Sequence, residues 1–293
     1  MGRRLSLAHR AGGRRPAVNS FPTTVKLVTT QTRYQLVTFR RIPVAVFFTL
    51  GLPLVMLVLF NALFGNSTIE TPEGSWSSKQ FYTGGLAAFT AVSATYTNLA
   101  NMVPIRRDEG VLKRWRGTPL PTWMYVSGFI LSAVVIAFIG VTLMLTLGVF
   151  AYDLEIDLAK MPAAFVTFFI GVGCFAALGM ALASLVKSAS SAAAAANATI
   201  LPLAFVSNVF IQIDDPPQWV EIVGNIFPLK PFVEAFQDCF TPFVEAPAFN
   251  WSSLAFITAW GILGLVVALR KFTWEPSGSA PRGRRARRAA ANS

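Results

Sequence analysis

The chain has 293 residues, of which 54% are apolar and only 13% charged, with 25 Phe and a single His. So few charges, against about 25% in an ordinary soluble protein, exclude a water-soluble enzyme of usual composition. One His (His9) and two Cys exclude the common zinc ligand sets. The net charge of +11 raises the question of a nucleic-acid partner, which the positions of the charges decide.

Residues 1–20 are basic and rich in Gly and Ala, and read as a disordered tail. No apolar run follows until residue 42, too far along for a cleaved signal peptide. Over 21–41, Val25, Val28, Thr32, Leu36 and Phe39 recur at helical spacing, while Lys26, Arg33 and Arg40, seven apart, lie on another face. This predicts a helix in the headgroup plane, apolar side down and basic side towards lipid phosphates. The plainer alternative is a solvated linker.

Six runs then lack any Asp, Glu, Lys or Arg: Ile42–Ile69, Gln80–Ile105, Gly117–Tyr152, Met161–Val186, Ser188–Ile213 and Ala246–Leu269. Each supplies the roughly 20 residues that cross a hydrocarbon core. A charge at the centre of such a helix costs about 2.5–3.5 kcal/mol, so charge-free runs of this length are informative. They predict an all-α integral membrane protein of six transmembrane helices near 43–64, 81–103, 122–150, 162–186, 189–212 and 250–270. Pro119 and Pro121 place the start of the third near Thr122. Only Lys187 separates the fourth from the fifth, which implies a tight turn there.

Alternate connections carry 22 Lys/Arg on one side and 3 on the other. By the positive-inside rule both termini are cytoplasmic and the number of spans is even. The net charge is thus mainly a topology signal, and no motif supports nucleic-acid binding. The basic tail 273–293 reads as disordered, with lipid headgroups as the alternative contact for its Arg282–Arg288 cluster. Cys174 falls inside a span and Cys239 in an outer loop, which predicts free thiols.

Two connections carry more than length. The inner loop 104–121, PIRRDEGVLKRWRGTPLP, places Asp108 and Glu109 ahead of a short helix, where acids suit the positive helix end. It reads either as a docking surface for an energy-supplying partner or as a positive-inside loop with helix caps. The outer segment 214–245 holds two apolar stretches too short to span, Trp219–Phe227 and Pro231–Phe243. They predict short re-entrant or outer helices between spans five and six.

These segments resemble the ABC-2 type permeases, the membrane subunits of bacterial ATP-driven exporters. The family's inner-loop pattern is roughly E-x-G-x-L-x-R-x-x-x-T-P-L. Glu109, Leu112, Arg114, Thr118, Pro119 and Leu120 stand in a similar arrangement, with Gly110 one place early. The outer pattern, P-x-W, then N-P-L and an acidic helix, is matched by Pro217, Trp219, Pro228, Leu229 and Glu234, with Phe227 in the Asn place. The likeness covers residues 21–272. It implies a half-transporter in a bacterial plasma membrane, paired with a second copy or a paralogue, with separate ATP-binding subunits docked on Glu109, Arg114 and Thr118. It implies too that ATP and Mg are bound by that partner and that this chain is no enzyme, and the sequence contains no G-x-x-x-x-G-K-[ST] motif. The cargo would be a hydrophobic or amphipathic compound moved outwards.

Polar groups within spans are candidates for the path: Asn98, Asn101, Asn197 and Asn208, with Asn61, Thr83 and Gln212. Each is as readily an interhelical hydrogen bond, worth about 0.6 kcal/mol. The alternative function is an ATPase-independent channel or secondary carrier, which the lack of a carboxylate in mid-span disfavours. A metal-dependent membrane enzyme built on Asp214 and Asp215 lacks further ligands.

Overall fold

Backbone groups in an apolar surrounding must bond within their own segment, and the charge-free runs accordingly fold as helices. The computed structural model describes residues 24–71, 74–111, 122–210 and 216–271. The tails 1–20 and 273–293, most of the inner loop, Gln212, Asp214 and Asp215 lie outside the described residues.

Helix α1 (Thr24–Arg40) buries Thr32 and half-buries Val28, Gln31, Leu36 and Phe39, while Lys26, Arg33 and Arg40 face outwards. Val25, one of the expected apolar stripe, is exposed. The inward face packs on α4 (Thr122–Tyr152), where a side chain at Gly128 would collide with Gln31. Helix α2 (Pro43–Phe64) follows at the periphery. Its wider π-turn, Phe47–Gly51, ends two residues before Pro53, which cannot donate a helical hydrogen bond.

A short antiparallel hairpin, β1 (Thr68–Thr71) and β2 (Gly74–Ser77), pairs Ile69 with Trp76. The sequence reading treats this stretch only as a loop. Trp76 is buried edge-on against Phe81, with centroids 5.6 Å apart.

Helix α3 runs without a break over 78–108, with a π-segment at Ser93–Thr97. Almost all of its first half is buried, and its residues are small or hydroxylated: Thr83, Gly84, Gly85, Ala88, Thr90 and Ala91. The hydroxyls of Thr90 and Thr95 donate to Leu86 O and Ala91 O, both at 2.7 Å. Interior membrane helices use such residues because backbones must approach closely.

Helices α5 (Met161–Leu185) and α6 (Ala189–Val206) are joined by a turn that Ser188 and Ser191 close as a reciprocal capping box. Helix α6 stops short of the expected 212. Asn208 adopts φ 54°, a left-handed conformation that Asn tolerates and that ends a helix. Two short helices follow, α7 (Gln218–Ile226) and α8 (Leu229–Gln237), then α9 (Trp251–Lys271). Gly261 and Gly264 of α9 press on Cys174 and Leu178 of α5, the broadest helix contact in the fold.

Among the described residues, five helices are long and apolar enough to cross a membrane: Pro43–Phe64, Val126–Tyr152, Met161–Leu185, Ala189–Val206 and Trp251–Lys271. Helix α3 is long enough but is not among the five, because its buried face is rich in Thr, Ser and Gly.

Candidate functional site

The Asp108 end of α3 is built by four consecutive residues, Arg107 to Gly110. Gly110 terminates the helix at φ 71°, and its N–H donates to Arg107 O at 3.0 Å. A Cβ there would meet nothing within 4 Å, so the demand for Gly is conformational. Glu109 is exposed and pairs only loosely with Arg106, at 3.4 Å. Leu112, Arg114, Thr118 and Pro119, the rest of the expected docking motif, lie outside the described residues.

Arg107, which the sequence reading does not single out, and Asp108, which it places ahead of a short helix in the loop, hold this end in place. Arg107 is 4% exposed. Its guanidinium donates to Val186 O at 2.8 Å and to Ala183 O at 3.4 Å, covering the carbonyls that end α5. Asp108 accepts from the N–H of Ala189 at 2.9 Å, covering the start of α6. A cation on a helix C-terminus and an anion on a helix N-terminus each complement the helix dipole. The pair therefore ties the base of the inner loop to the α5–α6 turn. Sequence shows an Arg-Asp pair at a span end, but the partners lie some 80 residues away.

Against the same end, Gln35 and Thr38 of α1 line a small cavity with Asn98 and Arg106. At about 20 Å³ it has room for about one water. The four path candidates are spread through the fold. Asn98 faces α1. Asn101 Oδ1 is buried and has no hydrogen-bond partner among the described residues. Asn197 is exposed on α6. Asn208 donates to Glu234 Oε1 at 3.2 Å. Its carbonyl lies beside Gly85, about 20 Å along α3 from Asn98 at 1.5 Å per residue. Of the further polar candidates, Asn61 Nδ2 donates to Leu57 O at 3.0 Å and Thr83 Oγ1 to Lys79 O at 2.7 Å, bonds within their own helices.

The opposite end of α3 meets the short helices. Pro217 opens α7, and its carbonyl accepts from Val220 at 2.8 Å. Trp219 is exposed, as an aromatic at the headgroup level would be. Pro228 opens α8, whose Leu229, Phe232 and Phe236 are buried. Pro228 and Leu229 border a cavity of about 250 Å³ with Tyr96, Thr199 and Trp260. Trp260 donates to Ile226 O at 3.1 Å. Gln237 Nε2 donates to Phe81 O at 3.2 Å, fixing α8 to the top of α3. Lys160, buried at the start of α5, donates to Thr241 O at 2.8 Å and fixes the end of the same layer.

Glu234 stands between Lys230, 3.8 Å away, and Asn208. Although 41% of its side chain is exposed, surrounding protein pushes its carboxyl above the usual range, Asp238 adds to the rise, and Lys230 and Asn208 oppose it. Burial pushes the nearby Cys239 thiol up to about 12, so it is inert as a nucleophile at neutral pH. Both cysteines are free and buried. Among the described residues no three His, Cys, Asp or Glu converge as a metal site.

Comparison with known proteins fits this layout. The family described as ABC-2 type transporter matches residues 26–241. A protein described as a transport permease, ycf38 of Cyanophora paradoxa, is 28% identical over 204 residues, 67% of each chain. The daunorubicin resistance ABC transporter permease protein DrrB1 of Streptomyces coeruleorubidus is 28% identical over 229 residues, covering 75% of this chain and 76% of its own.

Proposed function

The chain belongs to the ABC-2 type transporter family, and from that premise we propose that it is the six-span membrane half of an exporter driven by a separate ATP-binding subunit. Helix α3 is the sixth span. Its 78–108 stretch rises about 46 Å at 1.5 Å per residue, more than the roughly 30 Å of hydrocarbon. Both termini, the inner loop and the α5–α6 turn face the cytoplasm of a bacterial cell, and the α7–α8 layer faces out. A second copy or a paralogue completes the path, and the cargo is a hydrophobic or amphipathic compound. ATP and Mg belong to the partner subunit, and this chain is not an enzyme.

The observation that carries the reading is the clamp of Arg107 and Asp108 at the base of the loop, beside exposed Glu109. A partner pressing on Glu109, Arg114 and Thr118 moves the end of α3 and, through the clamp, the α5–α6 turn. The hydrogen bond from Gln237 to Phe81 O joins the far end of α3 to α8. A displacement at the inner loop is thereby delivered to the outer layer, the two-arrangement movement an alternating pump needs. Gln35 and Thr38 of helix α1 face the inner end across the small cavity, and its exposed Lys26, Arg33 and Arg40 are placed to meet lipid phosphates.

The test is mild-detergent purification of the tagged chain from its native membranes, followed by mass spectrometry. A stoichiometric ATP-binding protein is the expected companion. Recovery of the chain alone, with cross-linking and in repeated trials, overturns the reading in favour of a partner-free channel or carrier.

A further inference from the structure

We propose that a groove between α4, α5 and α9 is a binding site for one acyl chain of an anionic phospholipid of the inner leaflet. The choice of leaflet rests on the topology proposed above. The groove exists because α9 packs tightly on α5 through Gly261 and Gly264 while α4 leans the other way, onto α1 and α3. The floor between them is made of small residues of α5: Gly173, Ala176 and Ala177. A Cβ added at Gly173 would meet nothing within 4 Å. The cavity measures about 630 Å³, and among the described residues no charged side chain lines it.

Three observations select an acyl chain as the occupant. The first is length. The α9 wall runs from Thr258 to Leu269 and rises about 16 Å at 1.5 Å per residue, half of the roughly 30 Å hydrocarbon core and thus the depth of one leaflet. The second is direction. The groove follows the helix axes, and its walls include the exposed side chains of Phe169, Ile262 and Leu265, so it opens sideways where bilayer chains lie. The third is its end. Helix α9 finishes in exposed Arg270 and Lys271, immediately past the last lining residue, at the depth of a headgroup phosphate. Ser127 is the polar lining residue near that end, level with a lipid's ester region. Thr258, at the apolar end, has its hydroxyl occupied by Leu254 O at 2.7 Å.

The probe is phosphatidylglycerol carrying a diazirine at one acyl terminus, a minor component of phosphatidylcholine nanodiscs holding the purified chain. After irradiation, labelled peptides are mapped by mass spectrometry. Labelling is expected to concentrate on 169–177 and 258–262, above that of α2, the bilayer-contact control. Gly173→Leu fills the floor and lowers groove labelling about tenfold while leaving α2 labelling unchanged. Ala177→Leu is the second variant should the first not fold. Replacing Arg270 and Lys271 together by Gln removes the preference for phosphatidylglycerol over a phosphatidylcholine probe. Groove labelling no higher than that of α2, or unmoved by filling the floor, overturns the proposal. So does a groove without label, the result expected if a second copy of the chain covers this face. No ATPase enters the experiment, so its failure leaves the purification test of the exporter reading standing.

Discussion

Helices α2 and α3 are neighbours in the chain and opposites in the fold. Over Leu52–Phe64, α2 buries only Pro53, Leu57 and Asn61, and turns Val55, Val58 and Leu63 outwards. Helix α3 buries nearly every residue from Phe81 to Val92 and is the less apolar of the two. In water, apolar character tracks burial. In a bilayer it tracks contact with lipid, because tails are as apolar as Leu and helices gain by close packing and hydrogen bonds instead. The most polar long helix is therefore the central one, and it joins both candidate sites.

The contrast should break most sharply at Gly85. Any side chain there would crowd Gln237 Nε2 at 2.9 Å and the carbonyl of Val209 at 3.1 Å. Gly85→Leu is expected to cost about 1–3 kcal/mol or more by overpacking, read as loss of the monodisperse peak in detergent size-exclusion chromatography. A normal elution profile and melting curve would show that α3 is not the tightly packed centre.

Arg107→Met keeps the length of the side chain but strips the carbonyls of Ala183 and Val186 of their donor. A hydrogen bond to a charged group contributes about 1.5–3 kcal/mol, so melting should fall measurably. The more telling readout is functional. On the exporter reading proposed above, the reconstituted complex keeps an ATPase bound through the loop yet turns over ATP with little transport. Transport reduced only in proportion to folded protein would show that the clamp is merely structural.

Glu234→Gln tests the outer layer by pH. The native carboxyl holds its proton to higher pH than the unfolded one, so stability falls as pH rises from the ordinary glutamate range through the raised native value. The amide escapes this loss. The variant should melt higher than the parent above that window, and the two should converge below it. A difference that does not vary with pH would assign the effect to packing. Smallest of all, Val58→Ala on the outward face of α2 should stay within about 0.5 kcal/mol. A large loss would mean that protein, such as a second copy, covers that face.

Much of the fold is legible in the residue order because lipid is an unforgiving solvent for charge. The runs that became α2, α4, α5 and α9 carry no internal charge, and Pro121 and Lys187 mark helix ends that the structure places at Thr122 and Leu185. The capping box of Ser188 and Ser191 is a local signal within one turn. The left-handed stop at Asn208 is less legible, since Asn is tolerated within helices too, and here its side chain finds Glu234, 26 residues on. The hairpin of Ile69 and Trp76 is too short to announce itself by alternation. Of the candidate sites, Glu109, Gly110, Pro228 and Leu229 could be picked out by pattern. Arg107, Lys160 and Gln237 could not, because each bonds a carbonyl some 80 to 156 residues away.

By itself the sequence determined that this chain lives in a membrane, and its two motifs carried a likeness to the ABC-2 permeases. Both are local properties, the first set by the cost of charge in hydrocarbon and the second by short runs of side chains. Tertiary structure alone decided which helix is central, that the inner loop is anchored to the α5–α6 turn, and where small residues open a groove. Those outcomes depend on how closely distant backbones approach, a quantity set by the whole set of contacts and carried by no single stretch of the chain.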